Sequence, residues 1–165
     1  MFERLLLAID DSPASEVAIS FATALAQRGD SAVHILHVNE YIVGGRNVTL
    51  KTRSEATELI GGAVLSLRAA GVRASATALV ASHRDVPATI VEVAQARGSQ
   101  AIVLGSRRQR RLGRIFSPQV RERTTRLTAL PILTAPSPLL VSAHQLLNVD
   151  DVVRAELERA AATSR

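Results

Sequence analysis

Residues 5–13, Leu5-Leu6-Leu7-Ala8-Ile9-Asp10-Asp11-Ser12-Pro13, join five consecutive apolar residues to two carboxylates, a hydroxyl and a proline. An unbroken apolar run suits a strand buried on both faces, because a strand with one wet face alternates instead. Ser12 predicts a helix N-cap and Pro13 the first helical position, where its missing N–H costs nothing. A doubly buried strand that passes at once into a helix is the opening of a parallel α/β unit.

The rest of the chain repeats that unit. Val17, Ala18, Phe21, Ala22 and Leu25 form a helical stripe, and Gly29 predicts its stop. Ala32 to Val38 reads as a second strand, and Glu40 to Arg53 as a polar connection. A second helix follows from Ser54, with Ala56, Leu59, Ile60, Ala63, Val64, Leu67 and Ala70 on one face and Gly71 as its stop. Gly61-Gly62 inside it lowers helix propensity and is read as a mark of close contact. A third strand spans Val72 to Val80. A third helix starts at about Val86, carries Ile90, Val91 and Ala94, and stops at Gly98. Ala101 to Leu104 is a fourth buried strand. Ser117-Pro118 opens a fourth helix. Pro131 to Pro136 is a fifth strand, with prolines at both ends that suit an edge. Five alternations predict a single α/β domain: a five-stranded parallel doubly wound sheet with helices on both faces. Ligands of such sheets bind beyond the carboxyl ends of the strands, where the strand order reverses. Asp10 and the loop from Gly105 both fall at that end.

Residues 137–165 lie outside the repeat and read as an extension with one helix. Asn148 predicts its cap, and Leu146, Val149, Val153, Leu157 and Ala160 give it an apolar stripe. That stripe is to be covered by its own domain or by a second chain.

The 165 residues are 47% hydrophobic and 21% charged, enough apolar matter for a folded core. Cysteine is absent, which excludes disulfides, a thiolate nucleophile and cysteine-held metals. No apolar run is long enough for a signal core or a membrane span, so a cytoplasmic location is expected and no membrane partner. The net charge of +5 is concentrated. Residues 105–126 hold eight arginines and one acid, a local +7, whereas the remainder has twelve bases and fourteen acids. A local field of this kind points to an anionic partner at one place.

The order of elements, with "LLLAIDDSPAS", "ILHVNEY", "AIVLGSRR" and "VRERTTRLTALPILTAP" in sequence, resembles the universal stress protein family over about residues 1–136. The resemblance implies the adenine nucleotide alpha hydrolase-like fold and, in many members, ATP held at the carboxyl edge of the sheet. It places Asp10 and Val38 at the nucleoside, with Ala8 beside them. It places Gly105, Ser106, Arg107, Arg108 and Gln119 along the phosphate loop. The family loop carries Gly-x-x-Gly, nine residues, then Gly and Ser or Thr. Here Gly105 keeps the first glycine, while Arg108, Pro118 and Gln119 replace the other three positions.

These replacements have physical consequences. Phosphates at a helix N-terminus are held by convergent N–H groups and the helix dipole. Pro118 has no N–H to give. Losing one hydrogen bond to a charged acceptor weakens binding by about 1.5–3 kcal/mol, or roughly tenfold to hundredfold. Arg107, Arg108, Arg110 and Arg111 offer a different capture through guanidinium forks, at a greater entropy loss. ATP is thus a doubtful ligand in the standard mode, and no cofactor is required.

Other chemistries find little support. No Gly-x-x-x-x-Gly-Lys-Ser/Thr, Gly-x-Gly-x-x-Gly or Gly-x-Ser-x-Gly occurs. His34 and His37 are three apart on a strand and therefore face opposite ways, which excludes a shared metal. Spacing brings no partner to His83 or His144. The arginine run has the charge for nucleic acid but only Phe116 nearby for stacking. No nucleophile, base and orienter assemble, so the chain reads as a regulator acting by association, not as an enzyme. The expected partner is a second copy, joined through the Pro131–Pro136 strand as the family resemblance implies, and through the C-terminal helix. The alternative is a sensor of ATP or another nucleotide that grips phosphate with arginines; slow ATP hydrolysis stands behind both.

Overall fold

The computed structural model describes residues 1–42, 48–49, 51–106, 118–137, 154, 156–159 and 161–162. In chain order the elements are β1 (Arg4–Ile9), α1 (Pro13–Gly29), β2 (Ala32–Ile42), β3 (Val48–Thr49), α2 (Arg53–Ala69), β4 (Arg73–Ser82), α3 (Val86–Ala96), β5 (Ala101–Leu104), α4 (Pro118–Leu127) and β6 (Ile132–Thr134). Five strands run parallel in the spatial order β4-β2-β1-β5-β6, and β3 adds a short antiparallel pairing to the end of β2. The strand order reverses between β1 and β5, which fixes the switch point there. The proline-flanked β6 occupies an edge.

Side chains of β1 divide strictly by parity. Leu5, Leu7 and Ile9 join Phe21, Leu25 and Leu67 in the core beneath α1 and α2. Leu6 and Ala8 join Leu36, Val86, Ile90 and Val120 beneath α3 and α4. Both sets are fully buried, the condition that an unbroken apolar run requires.

Several local expectations are corrected. α1 ends with Asp30, not Gly29, in the left-handed region (φ 48°, ψ 40°). At Gly29 a β-carbon would lie 2.8 Å from Met1 Cγ and from Ser31 Oγ, so a larger residue there would have to push those side chains aside. Gly61 and Gly62 show the reverse, since a β-carbon at either would meet nothing within 4 Å. The second strand runs four residues past Val38. Asn39 and Glu40 look like loop because they are polar, yet both are buried with partners inside the fold. Asn39 Nδ2 donates to the Lys51 carbonyl and its Oδ1 accepts from the Lys51 N–H, 2.7 and 3.0 Å, which ties the end of β2 to the start of α2. α2 itself opens with a capping box between Thr52 and Glu55.

Of the C-terminal stripe, Leu157 is described. It packs against the α1/α2-side core of its own chain. Leu146, Val149, Val153, Ala160 and the cap at Asn148 lie outside the described residues.

Candidate functional site

β1 ends at Ile9, paired with His37 of β2. One step further along the chain, Asp10 follows β1 and Val38 continues β2. Asp10 is 4% exposed. Its Oδ1 accepts from the Ser12 N–H at 2.8 Å and from Ser15 Oγ at 3.0 Å, while its own N–H donates to Ser15 Oγ at 2.8 Å. Ser15 therefore serves as both donor and acceptor for one residue and locks the turn from strand to helix. Ser12 holds the N-cap position of α1 but makes no side-chain cap; the carboxylate of Asp10 has taken over that turn. Asp11 lies outside the knot and pairs with Lys51 at 3.1 Å.

The remaining polar atoms are telling. Asp10 Oδ2, Ser12 Oγ and Ser106 Oγ are buried and find no hydrogen-bond partner among the described residues. Buried polar atoms are normally paired, so three orphans at one switch point single it out as the candidate site. Gly105 closes the floor. A β-carbon on it would lie 3.1 Å from the Ala14 carbonyl oxygen and 3.3 Å from Ala14 Cβ, so glycine is what lets the β5 loop approach the first turn of α1.

The structure thus places Asp10, Gly105 and Ser106 just past the carboxyl ends of β1 and β5, while Val38 falls inside the longer β2, four residues before its end. Ala8 lies deeper, 1% exposed in the core under α3 and α4. Gln119 is exposed on the first turn of α4, directly after Pro118. Arg107 and Arg108, like Arg110, Arg111, Arg114 and Phe116, lie outside the described residues.

One pair escaped the sequence reading. His83 Nδ1 stands 2.7 Å from Glu40 Oε2, on the same face of β2 as Val38. The two are 43 residues apart, and the pairing of Glu40 with Ala81 in β4 brings them together. Spacing alone carries no such signal. His34 and His37 do face opposite ways: His34 bonds Ser75 and Thr77, and His37 bonds the Ile9 carbonyl. No group of three metal-ligating side chains occurs among the described residues, and none of their helices is long and apolar enough to cross a membrane.

A doubly wound parallel sheet with orphaned polar atoms at its switch point defines an open α/β domain. The chain belongs to the universal stress protein family, whose model matches residues 1–136. Among solved structures, it is similar to a universal stress protein of Archaeoglobus fulgidus, with 24% identity over 82% of this chain and 100% of that one, TM-score 0.65. The structure from the same organism in complex with dAMP has 23% identity over 81% and 97%, TM-score 0.61. A member from Burkholderia pseudomallei has 20% identity over 82% and 96%, TM-score 0.65. At these identities the likeness is one of fold. No curated protein matches the chain at a significant level.

Proposed function

We propose that this chain is a regulatory module of the stress-response type whose carboxyl-edge cleft keeps the nucleoside end of an adenine-nucleotide site and has lost part of the phosphate end. The observation that carries the reading is a contrast within one cleft. On the β1 side, Asp10 Oδ2 and Ser12 Oγ are buried and unpaired among the described residues, and Ser106 Oγ joins them from the β5 side. On the α4 side, the helix opens with Pro118, an imino acid with no N–H for a phosphate. A relative of the same fold holds dAMP, a nucleotide with a single phosphate. Such a ligand makes less use of the altered end than ATP does.

Nucleotide is then a weak modulator, and the module acts by association. A second copy is the partner we assign, through the β6 edge. Sedimentation at micromolar concentration tests that assignment: a dimer is expected, and a monomer at every concentration removes it. Isothermal titration with AMP and ATP tests the cleft. AMP is expected to bind at least as tightly as ATP, and the double variant Pro118→Gly with Gln119→Ser to gain about tenfold for ATP. Wild-type binding of ATP at low micromolar or tighter would overturn the reading in favour of phosphate capture by the arginines of residues 107–111.

A further inference from the structure

A second pocket opens at the other end of the strands. It has a volume of about 250 Å³ and lies where β1, β2 and β4 begin and α3 ends. Arg4, Arg73 and Arg97 line it together with His34, Ser75 and Ser99. No carboxylate lines it among the described residues.

Arg4 and Arg97 are held in place by neutral groups, and Arg73 by the backbone and carboxylate of Asp30. Arg4 Nε donates to the Gly98 carbonyl at 2.8 Å. Its guanidinium rests over the α-carbon of Gly98, where a β-carbon would lie 3.3 Å from Nε and Nη2. Gly98 has φ +59°, so the turn ending α3 both requires glycine and makes the room Arg4 uses. Arg97 Nη2 donates to Thr77 Oγ1 at 3.2 Å. Arg73 Nη2 donates to the Asp30 carbonyl at 2.7 Å, and the Asp30 carboxylate, 3.7 Å away, projects fully into solvent. A guanidinium has five N–H donors, and each of these bonds uses one. Arg4 and Arg97 reach no carboxylate among the described residues.

One feature besides the guanidiniums points to a ligand. Ser99 is 6% exposed and its buried Oγ has no partner among the described residues. A satisfied fold leaves few such groups. The imidazole of His34, beside Arg97, is lowered to about 4 by burial and by that positive charge, and so stays neutral. Its two ring nitrogens are taken by Ser75 and Thr77, which leaves the guanidiniums to set the sign of the pocket.

We propose that this amino-edge pocket is an oxyanion site that takes a phosphate group, gripped by Arg4, Arg73 and Arg97 with the Ser99 hydroxyl as a further donor. Guanidinium forks match the paired oxygens of phosphate and carboxylate alike, and three of them round one pocket suit the higher charge of phosphate. The volume falls below the ~300–1,000 Å³ of pockets that enclose drug-sized ligands, so the site fits inorganic phosphate or the terminal phosphate of a small metabolite, not a whole nucleotide. The site lies at the opposite end of the strands from the cleft at Asp10 and does not depend on it.

Nitrogen-15 chemical-shift mapping of the full chain, titrated with inorganic phosphate against chloride at matched ionic strength, tests the proposal. Saturable shifts are expected at the amides of Ser75, Gly98 and Ser99 and at the His34 ring. Arg97→Gln is expected to weaken them at least tenfold. A parallel titration with glycerol phosphate distinguishes the sources: saturation at the same residues assigns a monoester site, and saturation by inorganic phosphate alone assigns a free-ion site. Shifts confined to residues 105–126, or shifts at the pocket untouched by Arg97→Gln, overturn the proposal. Should Arg97→Gln not fold, the wild-type map decides on its own.

Discussion

His83 Nδ1 lies 2.7 Å from Oε2 of Glu40, a carboxylate 5% exposed inside a parallel sheet. The histidine comes from the turn after β4 and is the hydrogen-bond partner that lets an acid sit in β2. His83→Ala is expected to lower stability by about 1–3 kcal/mol, the usual penalty for a buried acceptor left unpaired. Glu40→Gln removes the charge and most of that penalty. Urea unfolding of the two single variants and the double variant gives the coupling directly; additive effects would mean that the contact contributes nothing.

His34 makes the fold acid-sensitive. Burial, and then the charge of Arg97, bring it from 6.5 to about 4. Between those values the unfolded chain holds a proton that the native chain refuses, so stability falls as pH drops through that window and levels off below it. Screening by solvent keeps the loss to about 2–3 kcal/mol. Urea midpoints measured from pH 7 to pH 4 should decline in the wild type. The decline should be shallower in His34→Gln, which keeps a polar group between Ser75 and Thr77.

The glycines differ sharply in what they will accept. Gly105→Ala places a methyl group 3.1 Å from the Ala14 carbonyl oxygen and is expected to destabilise by about 1–3 kcal/mol. Gly61→Ala and Gly62→Ala meet open space on a helix and are expected to stabilise by about 0.5–1 kcal/mol each. Thermal or urea midpoints decide; a neutral Gly105→Ala would mean that the β5 loop can withdraw from α1.

Ser15 bonds both the N–H and the carboxylate of Asp10. Ser15→Ala leaves a buried N–H and one more carboxylate lone pair unsatisfied. A loss of about 1–3 kcal/mol is expected, along with weaker AMP binding, because Asp10 is no longer held at the switch point. Unchanged calorimetric affinity would show that Asp10 keeps its place without the serine.

The sheet was legible because β1, β2 and β5 announce themselves as apolar runs, β4 as an alternating one, and the helices as stripes closed by Gly71 and Gly98. Asp10 and Gly105 were legible as the residues just past two buried strands. Polar burial was not. Glu40 read as loop and Asn39 as no part of the strand because their partners, His83 and Lys51, come from other segments, and a partner 43 residues away leaves no local trace. The orphaned Ser99, and the glycine that seats Arg4, likewise exist only once α3 and β1 are brought together.

Leu157 rests on the same apolar layer as Leu59 and Ile60, well beyond the last residue that the family pattern covers. Trimming the chain after residue 136 would bare part of that layer. Such a shortened chain should bind hydrophobic dye and precipitate sooner on warming, because it loses the cover that Leu157 gives to the body that precedes it.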